Sequence, residues 1–90
     1  MSPNISDIRK LNDLIIHHYE NRIDLELSNL AELENVNVSS GNLIQAKAEV
    51  RSRIRLLWVT YQELDNVDTK TKIRFLSSNS KLIDILEIKL

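Results

Sequence analysis

The chain has 90 residues, one Gly, one Pro, no Cys and a formal net charge of −1. Ninety residues limit it to one small domain, whose core is marginal unless a partner or a second copy adds to it. So few Gly and Pro argue against a turn-rich β-sandwich or barrel, and the lack of Cys removes disulfide scaffolds, thiolate metal sites and Cys nucleophiles.

No apolar run approaches the ~18 residues that a membrane span requires. The opening "MSPNISDIRK" has no apolar core of a secretory signal, so a soluble, intracellular protein is expected. Charge is uneven along the chain. Residues 1–38 carry Asp7, Asp13, Glu20, Asp24, Glu26, Glu32 and Glu34 against Arg9, Lys10 and Arg22. Residues 39–76 carry Lys47, Arg51, Arg53, Arg55, Lys70, Lys72 and Arg74 against Glu49, Glu63, Asp65 and Asp68. Such halves either pair with each other or face separate partners.

The first element is predicted as a helix from about residue 5 to residue 34. Ser2 before Pro3, or Asn4 with Asp7 three positions on, supplies its start. Ile8, Leu11, Ile15, Tyr19, Ile23, Leu27, Leu30 and Leu33 recur at spacings of three or four, a helical stripe ~45 Å long. Leu14, Ile16, Leu25 and Ala31 widen the stripe, and a wide stripe calls for more than one neighbour. The polar stretch "NVNVSSGN" then predicts a loop over residues 35–41.

A second helix is predicted over residues 42–66. Leu43, Val50, Ile54, Leu57, Tyr61 and Leu64 follow a heptad seam, with Lys47 in its one gap. In "VRSRIRLLWVTYQEL", Arg51 and Arg53 fall on opposite shoulders of that seam and Arg55 lies further out, so the three do not form one clamp. A short loop makes the two helices antiparallel. A turn centred near Val38 sets Leu27 against Val50, Ile23 against Ile54 and Ile16 against Tyr61. It also places Glu26 near Arg51 and Asp24 near Arg53, which makes the charge asymmetry self-complementary.

The last segment, residues 69–90, reads two ways. As helices, Asp68 or Thr69 caps a short turn bearing Ile73 and Leu76, and Asn79 or Ser80 opens a final helix. As a β-hairpin, Thr71, Ile73 and Phe75 alternate with basic residues, "SSNS" turns, and "LEIKL" alternates again. Helices are favoured, since an isolated hairpin is marginal in water. Ile83, Ile85, Leu86, Ile88 and Leu90 are too apolar for a free tail. They must cover the helical pair or dock on a partner.

Candidate chemistry is sparse. Adjacent His17 and His18 diverge by ~100° on a helix and cannot chelate together. His17, Glu20 and Asp24 share a face that a metal could use, but a solvated face explains them as well. The histidines could also respond to pH. "DIRKLNDL" and "ENRIDLEL" put Arg9 and Arg22 on a long first helix, as in small all-α mutases of the chorismate type. Glu34, however, stands where a lysine is wanted, and nothing else builds an anion cage beside Arg22. No Ser-His-Asp set or phosphate-cradling loop is visible, so neither an enzyme nor a bound cofactor is expected.

The fold class expected is therefore all-α, an antiparallel helical hairpin with one or two short C-terminal elements. The function expected is protein–protein contact, as a small subunit or regulator that docks on a partner or self-associates. Tyr61 lies on the seam as a core position and Trp58 on its shoulder, where the C-terminal segment would pack over it or a partner would dock. On the docking reading Trp58 and Tyr61 are the expected anchors, with Leu14, Ile16, Ile83, Ile85, Leu86 and Ile88 as accessory surface. The alternative is nucleic-acid binding through Arg51, Arg53, Arg55, Lys70, Lys72 and Arg74, around the aromatic Phe75. The sequence pI of about 6.1 speaks against it.

Overall fold

A computed structural model describes residues 4–88, and all regular secondary structure among them is helical. The helices are α1 (Ile5–Glu34), α2 (Gly41–Gln62), α3 (Thr69–Ser77) and α4 (Ser80–Leu86). Side chains late in α2 meet side chains early in α1, and those nearer its start meet later ones, so the two long helices are antiparallel.

Local chemistry sets each boundary. Asn4 Oδ1 accepts the backbone N–H of Asp7 at 2.8 Å, which starts α1; the rival start at Ser2 and Pro3 lies outside the described residues. Ser40 Oγ accepts the N–H of Leu43 at 3.1 Å, so α2 opens at Gly41. The second helix ends at Gln62, four residues before the expected 66. Asp65, Asn66 and the capping Asp68 favour turn conformations there, and Val67 is pulled into the core. The Lys72 ammonium donates to the carbonyl of Gln62, one of the orphan acceptors at that helix end.

The C-terminal segment is helical, as favoured from sequence. Asp68 Oδ1 accepts the N–H of Thr71 at 2.7 Å, and this bond, with Arg74 and Lys70 nearby, holds the Asp68 carboxyl below its ordinary range. The alternation of Thr71, Ile73 and Phe75 is not used: Phe75 and Leu76 turn inward while Ile73 stays exposed. "SSNS" breaks α3 from α4. There Ser78 Oγ and Asn79 Nδ2 both donate to the Phe75 carbonyl, at 2.9 and 2.8 Å. Helix α4 ends at Glu87 in the left-handed region (φ 57°), the one described non-glycine residue with positive φ. The Ile88 N–H reaches back to the Ile83 carbonyl at 3.2 Å, and this closure brings Ile88 against the core.

Ile23 and Leu30 of α1 meet Val50, Ile54, Trp58 and Tyr61 of α2, and Val67, Phe75, Leu76, Leu82 and Ile85 close over them. Tyr61 stands between Trp58 and Phe75, with ring centroids 5.7 and 5.6 Å away. These separations lie within the favourable range for aromatic pairs.

Two expectations are corrected here. Trp58 is only 5% exposed and Tyr61 is fully covered, so neither is a surface anchor; α3 and α4 fold back over both. The ion-pair register also differs. Glu26 binds Arg53, at 3.0 Å from Nε, rather than Arg51, and the residue facing the Tyr61 hydroxyl is Glu20 rather than Ile16. Helical side chains lean toward their own N-terminus, so in an antiparallel pair long side chains meet a few positions beyond their Cα partners.

Because Trp58 is a core residue, Trp58→Ala should destabilise the fold by about 3–5 kcal/mol in urea or guanidinium titration. A loss under ~1 kcal/mol would mean that α3 and α4 do not cover it.

Candidate functional site

The site is built on the first turns of α1. At ~100° per residue, Ile5, Ile8, Leu11 and Ile15 occupy an arc of about 120°. Tyr19, Ile23 and Leu30 fall in the same arc, so the apolar face that α2 covers farther along continues uninterrupted toward the N-terminus. The cover does not continue. Near the end of α2 the Tyr61 hydroxyl donates to Glu20 Oε2 at 2.6 Å, α2 stops at Gln62, and cover on α1 fades past Ile16 and Ile15.

Ile5 is accordingly 71% exposed, Ile8 46% and Leu11 57%; Leu14, 63% exposed, lies ~60° beyond Leu11, on the side of the helix opposite Ile5. From residue 5 to residue 14 the helix runs ~14 Å as an arm with this face open, and Ile15 and Ile16 are already half-buried. The molecule measures 57 × 31 × 17 Å, with a radius of gyration of 15.9 Å. A compact chain of this length would have about 12 Å, and the arm accounts for the elongation.

Of the accessory residues expected from sequence, Leu14 is exposed but lies outside this face. Ile16 is half-buried against the core and marks its inner edge. The C-terminal residues do not join it: Ile85 is buried, while Ile83, Leu86 and Ile88 pack against the core from the other side of the hairpin. Leu90 lies outside the described residues. Ile5, Ile8 and Leu11 were not singled out from sequence, because their spacing reads as core whether or not a neighbouring helix reaches them.

The basic residues are dispersed. Arg53 is held by Glu26 and Lys72 by the Gln62 carbonyl, whereas Arg51 and Arg55 occupy a different side of α2 from Arg53. Arg74 and Lys70 stand on α3 near Asp68. His17 and His18 are exposed, and among the described residues no three His, Asp or Glu side chains converge on a point where an ion could sit, the His17, Glu20 and Asp24 trio included. Every buried side-chain nitrogen and oxygen among the described residues has a hydrogen-bond partner.

The most buried acid is Glu26. Its two oxygens face Arg53 at 3.0 Å and Arg22 at 3.8 Å. Nearby, burial first and the Glu20 carboxylate second push the Asp24 carboxyl above its ordinary range. Burial also pushes the Tyr61 phenol well above its ordinary value of 10.0, helped by the bond to Glu20 and the negative charges of Glu20 and Asp68. No family model matches the chain, and no curated protein or solved structure matches it.

Two measurements check this geometry. Arg53→Ala should cost about 1–2 kcal/mol in chemical denaturation by stripping Glu26 of its nearest cation, and Arg51→Ala under ~0.5 kcal/mol. Equal costs would contradict the register. Tyr61 remains neutral in the fold at pH values where a solvated phenol ionises, so its stabilisation is intact below pH 10 and declines as pH rises above that value. Tyr61→Phe should therefore flatten the alkaline fall in stability; an unchanged slope above pH 10 would refute the assignment.

Proposed function

We propose that the chain is a non-catalytic interaction module, a small helical subunit or regulator that associates through the open apolar face of the α1 arm. The observation that carries this reading is the row Ile5, Ile8 and Leu11, all exposed beyond the point where α2 ends. Scattered exposed apolar residues are ordinary, and Leu56, Val59 and Ile73 need no explanation. A continuous row in line with the core seam is different, because large apolar patches on small proteins commonly mark interfaces.

Covering each of these side chains fully is worth roughly 1.5–3 kcal/mol. Association itself costs ~4 kcal/mol or more. A contact through this arm is therefore of moderate strength and reversible, as suits a regulator or an exchangeable subunit. The mode is helix-face packing, in which anchors repeat at three- and four-residue spacing.

Replacing Ile8 and Leu11 together with Glu should abolish association, with itself or with another protein, as read by sedimentation and by binding assays with purified partners. Helix content and the unfolding midpoint of the isolated chain should stay nearly unchanged, since both residues are exposed. If the double variant associates as strongly as the native chain, the arm is not the interface.

A further inference from the structure

We draw no further inference here: the strongest candidate, the exposed apolar face of Ile5, Ile8 and Leu11 at the start of α1, is unpartnered, and nothing in the structure shows what covers it.

Discussion

Helix α1 has 30 residues and an apolar face along all of them, while α2 offers a covering helix of 22. The six residues between them, 35–40, hold the end of α1 close to the start of α2. The difference of eight residues therefore falls entirely at the far end of the hairpin, and at ~1.5 Å per residue amounts to ~12 Å. The elongated shape, the open stripe and the interaction reading all follow from this mismatch.

The remaining chain could have covered the arm, and local signals sent it elsewhere. Helix α2 stops at Gln62, Val67 enters the core, and Asp68 caps α3 at once. Leu76, Leu82 and Ile85 are thereby committed to the side of α2 that bears Trp58, where Ile88 also packs through the left-handed turn at Glu87. A small chain has few apolar residues to distribute. Those used on Trp58 and Tyr61 are not available to Ile5, Ile8 and Leu11.

Electrostatics within the hairpin complements this packing. The acid-rich first helix and the base-rich second meet at Glu26 and Arg53, and Lys81 of α4 reaches Glu34 at 2.9 Å. Exposed pairs of the second kind contribute little, about 0–1 kcal/mol. Glu26 differs because it is buried, and leaving its charge unpaired would be costly. The pair thus selects one register of α1 against α2 more than it adds stability.

The two long helices, their antiparallel pairing and most of their shared core were legible from residue spacing alone, because a period of three and four in Ile23, Leu30, Val50 and Ile54 has only one regular backbone that satisfies it. Residues 69–90, by contrast, fitted helices or a hairpin until their packing decided. Caps at Asn4, Ser40 and Asp68 were legible for the same reason: they are local hydrogen bonds between residues three apart. What tertiary structure decided was which parts of each stripe find cover. Spacing makes Leu11 and Ile23 look alike, and leaves Trp58 on its shoulder half covered by the helical pair alone. Only the stopping point of α2 and the return path of α3 and α4 reverse those two assignments. Burial is a property of neighbours distant in sequence, whereas periodicity is a property of the helix itself.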